Sequence, residues 1–185
     1  LYMHDADTST FIPYCFAYDL KDLAEKGLFF LNNFNAEPPK HLSTFIDFVK
    51  EFISFNSNRT SGACGLPNLI PYIYYFWKKD CEEGYATKSP DYYARQQIQR
   101  FVYAINQPYV RDGMQSAFTN VSVFDGPYLE ALFGGAKFPD GSYMIDELDE
   151  IKEFQKLFME ETSEIRSHNM MTFPVLTISL LRENG

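Results

Sequence analysis

The sequence is short of basic residues and of cysteine. Its 185 residues include 16 Lys and Arg against 25 Asp and Glu, which gives a net charge of -9. This balance argues against general binding to nucleic-acid phosphates, but it allows a local anion site of backbone N–H groups at a helix start. The three cysteines form no C-x-x-C pair, and an odd number without a disulfide framework favours a reducing compartment. We therefore expect a cytoplasmic protein with no nucleic-acid partner.

Long apolar runs and the common catalytic motifs are also missing. No stretch reaches the roughly 18 apolar residues of a membrane span, and no signal-peptide pattern occurs at the start. The sequence contains no G-x-S-x-G, no P-loop and no G-x-G-x-x-G. His41 and His168 have no obvious nucleophile beside them in the sequence. We therefore expect no membrane partner, and a Ser-His-Asp site has no support.

Aromatic residues, in contrast, are abundant. The chain has 18 Phe and 13 Tyr against a single Trp, and 45% of its residues are hydrophobic. This composition is typical of globular rather than disordered proteins. A chain of this length is expected to form one domain, residues 1–185, with a sizeable core. Because it begins with Leu1 and stops directly after a strand-like segment, we expect it to be an excerpt of a longer chain.

Strand-like and helix-like segments alternate along the chain. Short apolar runs rich in aromatic or β-branched residues predict strands at 11–18, 117–124 and 171–181. Amphipathic periodicity and capping residues predict helices at 20–27 (after an N-cap at Asp19), from 41, at 69–83, from 89, at 125–133 and at 147–168. Long helical crossovers imply parallel strands, so the predicted fold class is α/β. Three strands are too few to close a barrel, so we expect part of a barrel or of an open sheet.

Three stretches carry residue types that could bind a ligand. His4, Asp5 and Asp7 in "HDAD" could bind a metal, but their spacing is generic, and hydrogen bonds to the chain entering the first strand explain them as well. We therefore predict no metal site. "SGACGLPN", 61–68, could form an anion nest, although a plain loop is the simpler interpretation. Polar residues in "QSAFTNVS", 115–122, flank a strand, where they could face a ligand or cap turns.

Cys15 lies inside the aromatic run "FIPYCFAYDL", residues 11–20. A free cysteine is one of the residue types most often buried, and it usually behaves as a small hydrophobe. From the pattern alone, Cys15 is therefore predicted to pack in the core rather than to take part in redox chemistry.

Four stretches, taken in order, resemble one enzyme family. They are "YMHDADTSTFIPYCFAYDLKDLAEKG", "NAEPPKHLST", "QSAFTNVSVFD" and "TFPVLT". Together they resemble the anaerobic (class III) ribonucleoside-triphosphate reductases, the glycyl-radical branch of the ribonucleotide reductases, over nearly the whole chain. The resemblance implies a ten-stranded α/β barrel made of two parallel five-stranded halves. This chain would supply the first strands and their helices, and the rest of the barrel would be its partner.

The resemblance also implies a reaction and its cofactors. A ribonucleoside triphosphate would lose its 2′-hydroxyl to hydrogen, which provides deoxyribonucleotides for DNA replication. Cys15 matches the family's strand cysteine, which donates hydrogen to the substrate radical, and a thiol suits this role because its S–H bond is weak. The glycyl radical, which a radical-SAM iron–sulfur activase generates, and the family's zinc site would both lie outside residues 1–185.

The remaining implied residues concern nucleotide binding. Gln115, Ser116, Thr119 and Asn120 match the region that lines the substrate pocket. Glu37 and Lys40 of "EPPK" match the region that binds a deoxynucleoside triphosphate effector near a dimer interface. Glu51 occupies a position of this region where some relatives carry Gln. ATP would be a further effector. The helix that starts at 41 and the helix at 69–83 would contribute to a homodimer, which explains their surplus of apolar positions.

Two alternatives stay open at this stage. The chain could be a catalytically inactive split fragment that keeps the effector site and the dimer surface. It could also belong to another glycyl-radical enzyme that acts on a small organic substrate, but the "EPPK" region counts against this alternative because such an enzyme needs no nucleotide effector. Residues 1–185 alone are expected to be inactive, since the cysteine that starts the radical chemistry and the glycyl radical lie elsewhere in the family.

Overall fold

The computed structural model describes residues 14–31, 34–86, 88–110 and 112–181. Its strands are β1 (Phe16–Ala17), β2 (Leu28–Leu31), β3 (Phe34–Ala36), β4 (Cys64–Leu66), β5 (Thr119–Phe124) and β6 (Val175–Ser179). Its helices are α1 (Lys21–Lys26), α2 (Leu42–Ser57), α3 (Leu69–Glu82), α4 (Pro90–Ile105), α5 (Gly126–Phe133) and α6 (Leu148–His168), with a 3-10 turn at Met144–Glu147 before α6. β1, β4, β5 and β6 form one sheet in that order, and every pairing is parallel.

The predicted α/β class with parallel strands is confirmed. All six predicted helices form, with ends that differ by a few residues from the predicted ones. The hairpin of β2 and β3 is an addition, because no strand is predicted between the first two helices. None of the described helices combines the length and apolarity that crossing a membrane requires.

The strand β4 corrects the interpretation of residues 61–68 as a plain loop. It lies between β1 and β5 and joins them through backbone hydrogen bonds. The N–H of Cys64 donates to the carbonyl of Phe118 (2.8 Å), and the N–H of Tyr18 donates to the carbonyl of Gly65 (2.8 Å). Three residues are too few to show the alternation that marks a strand in sequence, so the pairing alone defines it.

The first strand is exposed, although a buried strand is predicted there. Only Phe16–Ala17 pairs as strand, and residues 11–13 of the prediction lie outside the described part of the chain. Tyr14 and Phe16 are 52% and 46% exposed. β1 is exposed because it lies at the edge of the sheet: within the described residues it pairs with β4 on one side and with no strand on the other.

Local capping explains where several helices begin. Ser89 accepts the N–H of Tyr92 at 3.2 Å, and Pro90 occupies the first turn, where its missing N–H costs nothing. α5 begins in the same way, with Asp125 accepting the N–H of Tyr128 at 2.9 Å. α1 begins one residue later than predicted, at Lys21, since Asp19 accepts the N–H of that residue and Leu20 is the N-cap.

The main core lies among the helices and against one side of the sheet. α2, α3, α4 and α6 contact one another, and α3 also contacts β5. Large side chains without solvent exposure fill this layer, including Phe45, Phe76, Ile98, Phe101 and Phe158. Burying each such side chain contributes about 1.5–3 kcal/mol. In contrast, Ile178 of β6 is 64% exposed, so part of the sheet carries apolar side chains that nothing in the described residues covers.

Candidate active site

A cavity of about 680 Å³ opens at the amino-terminal ends of the four parallel strands. Its walls come from the segments that lead into each strand: 14–15 before β1, 60–63 before β4, 115–118 before β5 and 172–173 before β6. Ser57, the last residue of α2, and Val110 complete the lining. The parallel sheet therefore brings together residues that are far apart in the sequence.

Cys15 lies in this cavity with an exposed thiol. The N–H of Ala63 donates to its Sγ at 3.2 Å, and the N–H of the next residue, Phe16, donates to the carbonyl of Ala63 at 3.1 Å. The prediction that Cys15 packs in the core is wrong, because Cys15 immediately precedes β1, the strand at the end of the sheet. The thiol is instead available to a molecule in the cavity.

Two of the four predicted substrate residues share the cavity with Cys15. Gln115 and Ser116 line it just before β5. The backbone carbonyl of Gln115 accepts the N–H groups of Tyr109 and Val110, both at 3.1 Å. Ser116 Oγ donates to the carbonyl of Asn106 at 2.7 Å. These bonds fix the chain at the cavity wall, so that both side chains have a defined position.

The other two predicted substrate residues do not line the cavity. Thr119 is fully buried, and its Oγ1 donates to the carbonyl of Ala117 at 3.1 Å. Asn120 Nδ2 donates to Oγ1 of Thr177 at 2.8 Å, across the β5–β6 pair. The geometry thus gives Thr119 and Asn120 roles within the sheet, since both have entered β5, while Gln115 and Ser116 precede it.

The cavity also contains hydroxyl groups that the sequence did not single out. Ser57, Thr60 and Ser61 line it at the end of α2 and on the segment that leads into β4. Ser57 is buried, and its Oγ has no hydrogen-bond partner among the described residues. In sequence, Ser57 and Thr60 lie at and just after the end of an amphipathic helix, a pattern that does not indicate a binding site, and Ser61 belongs to the stretch 61–68, which was considered only as a backbone anion nest. Thr60 and Ser61 reach the cavity because β4 pairs beside β1.

The same stretch does not form an anion nest. Residues Cys64–Leu66 are extended, and neither Gly62 nor Gly65 has the positive φ that a nest of successive N–H groups uses. All residues that line the cavity are uncharged. Burial raises the pKa of the Cys64 thiol to about 12, so this second cysteine of the region stays protonated and inert at neutral pH. The cavity is therefore a neutral site in which several hydroxyl groups and the side-chain amide of Gln115 lie around one accessible thiol.

The predicted effector residues lie away from this cavity, at the other end of α2 or along it. Glu37 and Lys40 are exposed on the segment that leads into the helix. Glu51 is exposed on α2 itself, where it pairs with Lys50 at 3.4 Å. The three charged groups are thus open to solvent and to a ligand or partner, and α2 spans the distance from this segment to the cavity.

A buried carboxylate anchors the start of α2 to the core. Asp80 is fully buried in α3, and its Oδ1 lies 2.8 Å from Nδ1 of His41. Its Oδ2 accepts the N–H of Leu42 at 2.8 Å and the hydroxyl of Tyr93 at 2.6 Å. Glu83 is close enough that it could bind a cation together with His41 and Asp80. Both Asp80 oxygens, however, already have hydrogen-bonding partners, so these bonds explain the cluster as a structural contact between α3 and the start of α2.

The metal-binding residue types noted near the start of the sequence, His4, Asp5 and Asp7, lie outside the described residues.

Comparison with known families and structures gives a consistent result. A family model described as anaerobic ribonucleoside-triphosphate reductase matches residues 1–184. The anaerobic ribonucleotide reductase from Thermotoga maritima in complex with dATP and CTP is similar with a TM-score of 0.93 and 44% identity, over 99% of this chain and 30% of that chain. The same enzyme with dATP bound in the specificity site gives a TM-score of 0.92 and 45% identity, over 97% and 30% of the two chains.

A further structure of that enzyme, with citrate in the active site, gives a TM-score of 0.91 and 44% identity, over 100% of this chain and 32% of the other. No curated protein sequence matches the chain. The chain thus spans about 30% of the length of the solved structures that it resembles.

Proposed function

Because the chain belongs to the anaerobic ribonucleoside-triphosphate reductase family, we propose that it forms the part of such a reductase that holds the hydrogen-donating cysteine and one wall of the substrate site. The observation that carries this proposal is the position of Cys15. Its exposed thiol opens into the same cavity as Gln115 and Ser116. The reaction is the conversion of a ribonucleoside triphosphate to the corresponding deoxyribonucleotide.

Cys15 performs one step of this reaction. Its S–H bond breaks homolytically, the hydrogen atom forms a C–H bond with the carbon radical of the ribose, and the unpaired electron remains on the sulfur. An accessible thiol can do this, whereas a serine O–H bond is too strong. A glycyl radical, formed by a radical-SAM iron–sulfur activase, supplies the initiating radical chemistry, and we assign it and the family's zinc site to parts of the enzyme beyond this chain.

The neutral lining of the cavity suits the sugar of the substrate. Hydroxyl and amide groups bond ribose hydroxyls in either direction, because they both donate and accept hydrogen bonds. Citrate occupies the active site of one Thermotoga maritima structure, and CTP is bound in another. Gln115 and Ser116 are our proposed direct contacts. Thr119 and Asn120 support the substrate site from within β5.

The effector site is proposed for the segment before α2 and the exposed face of that helix. Glu37 and Lys40 are exposed on the segment and Glu51 on α2, and a lysine is well suited to bind a triphosphate or a base. The Thermotoga maritima enzyme has dATP bound in its specificity site. We propose that a deoxynucleoside triphosphate binds this region, with ATP as a further effector, and that α2 and α3 contribute to a homodimer.

The rest of the barrel is proposed to cover the exposed part of the sheet. Exposed apolar side chains on β1 and β6, such as Phe16 and Ile178, fit a surface that further strands or loops bury. The family's ten-stranded α/β barrel would supply that layer. The chain would then be one section of a larger catalytic domain in a cytoplasmic enzyme.

Substitution of Cys15 tests the proposal in the full-length protein. Cys15→Ser, activated under anaerobic conditions, should form no deoxyribonucleotide, while it binds CTP with unchanged affinity, because serine keeps the size of the side chain but not the weak S–H bond. Cys81→Ser is the matched control and should keep its activity, since Cys81 does not line the cavity. Turnover by Cys15→Ser would refute the assignment.

A further inference from the structure

The backbone that leads into β4 holds the sulfur of Cys15, and we propose that Gly62 and Ala63 are positioning residues for the hydrogen-atom donor. This inference rests on the proposed function, since it takes Cys15 as the donor. Neither residue touches the reacting atoms of the substrate in this account. They act by fixing where the Cys15 thiol lies in the cavity.

The backbone of Ala63 contacts Cys15 through its N–H and Phe16 through its carbonyl. Its N–H donates to Sγ of Cys15 at 3.2 Å, over a sequence separation of 48 residues. Its carbonyl accepts the N–H of Phe16 at 3.1 Å. The sulfur uses a lone pair for this bond, so its own S–H is left to point into the cavity. The side chain of an exposed cysteine, which would otherwise sample several rotamers, is restricted to one.

Gly62 is the residue that allows this approach. A Cβ atom at position 62 would lie 2.5 Å from Sγ of Cys15 and 2.8 Å from the carbonyl carbon of Tyr14, and it would collide with the Tyr14 carbonyl oxygen. Ordinary contact between such atoms begins near 3.5 Å, so both the Tyr14 carbonyl and the sulfur of Cys15 would have to move by about 1 Å. The φ of Gly62 is not positive, so the requirement for glycine is steric and not conformational.

A displacement of this size matters for hydrogen-atom transfer. Reacting atoms must approach to about 3–3.5 Å, and a misplacement of about 1 Å can lower the rate about 100-fold. Gln115 and Ser116 lie on a different segment, next to β5, whereas the nearest atoms to a side chain at position 62 belong to Tyr14 and Cys15. The positioning role therefore predicts a loss in kcat with little change in KM.

The test uses the full-length, activated enzyme and three glycine variants. For Gly62→Ala we expect kcat to fall about 100-fold, with KM within about twofold of the parent enzyme. Gly65→Ala is the matched control in the same β1–β4 pairing, because its Cβ would meet the Phe16 carbonyl oxygen at 3.3 Å and would not reach the sulfur. Gly135→Ala, with no neighbour within 4 Å, controls for glycine replacement in general.

Two results of that comparison would overturn the inference. One is a Gly62→Ala enzyme with nearly full kcat. The other is a Gly65→Ala enzyme that loses as much kcat as Gly62→Ala, since the cause would then be the strand pairing and not the sulfur. If Cys15→Ser retains activity, the proposed function itself fails; if only Gly62→Ala retains activity, the positioning role alone fails.

A second measurement does not depend on the folding of Gly62→Ala. In Cys15→Ala the Ala63 amide loses its acceptor, so its hydrogen exchange should become at least about tenfold faster, as expected for an amide freed from a hydrogen bond. The neighbouring Cys64 amide, which donates to Phe118, should exchange as in the parent enzyme. Unchanged exchange at Ala63 would overturn the proposed bond to sulfur.

Discussion

Replacing Asp80 by alanine should loosen the start of α2 and with it the proposed effector segment. Asp80 is fully buried, and one of its oxygens accepts both the N–H of Leu42 and the hydroxyl of Tyr93. Alanine leaves these two donors without an acceptor in a buried place. Each such loss costs about 1–3 kcal/mol, so we expect about 2–6 kcal/mol for the two, a range that includes the cost of about 3–5 kcal/mol for breaking a buried charged network. His41 adds little, because its ring is partly exposed and can bond to water.

Hydrogen exchange of α2 amides in the full-length protein measures this effect locally. A loss of about 3 kcal/mol corresponds to roughly 100-fold faster exchange, because each 1.4 kcal/mol is a factor of ten. Asp80→Asn should have a smaller effect, since the amide keeps one acceptor oxygen at the same position. Asp91→Asn on the exposed side of α4 is the control and should leave α2 unchanged. Exchange of the α2 amides within about threefold of the parent in Asp80→Ala would refute the anchoring role.

Four further outcomes are expected. Burial raises the pKa of the Cys64 thiol from 9.0 to about 12. The stability that this buried neutral thiol contributes should therefore be complete below about pH 9 and be lost as the pH rises toward 12. Cys64→Ala should reduce this loss of stability at alkaline pH, as measured in urea titrations. Alkylation at pH 8, followed by mass spectrometry, should modify the exposed Cys15 well before Cys64, and the reverse order would contradict the burial of Cys64. Gln155 bonds both the N–H and the carbonyl of Phe124 at 2.9 Å in a buried place, so Gln155→Leu should cost about 2–3 kcal/mol of unfolding free energy. Lys40→Ala should weaken dATP binding about tenfold in calorimetry through loss of a charged hydrogen bond, and unchanged affinity would remove Lys40 from the effector site.

The helices were the part of the fold that the sequence predicted well. Amphipathic periodicity and caps such as Ser89 with Pro90 are local features, so a helix can be recognised from the residues that form it. β4 and the β2–β3 hairpin were missed because three or four residues carry too little pattern. Their hydrogen bonds come from other parts of the chain, as when Cys64 donates to Phe118.

The candidate site was predicted only in part. The family resemblance selected Cys15, Gln115 and Ser116, and the structure places these three side chains around one cavity. Pattern alone assigned Cys15 to the core, which is wrong because an exposed strand at the end of the sheet carries the same aromatic residues as a buried one. Thr119 was grouped with its neighbours in sequence, but it has entered β5 and is fully buried.

By itself, the sequence determined the α/β class, the six helices and the family, because each depends on the type and order of residues along the chain. Only the tertiary structure decided that β4 lies between β1 and β5. That pairing brings Gly62 and Ala63 against Cys15, across 48 residues of sequence. The physical reason is that a parallel sheet aligns the starts of strands that are distant in the chain, and contacts of this kind leave no local pattern. The exposure of the Cys15 thiol and the backbone that holds its sulfur are both consequences of that alignment.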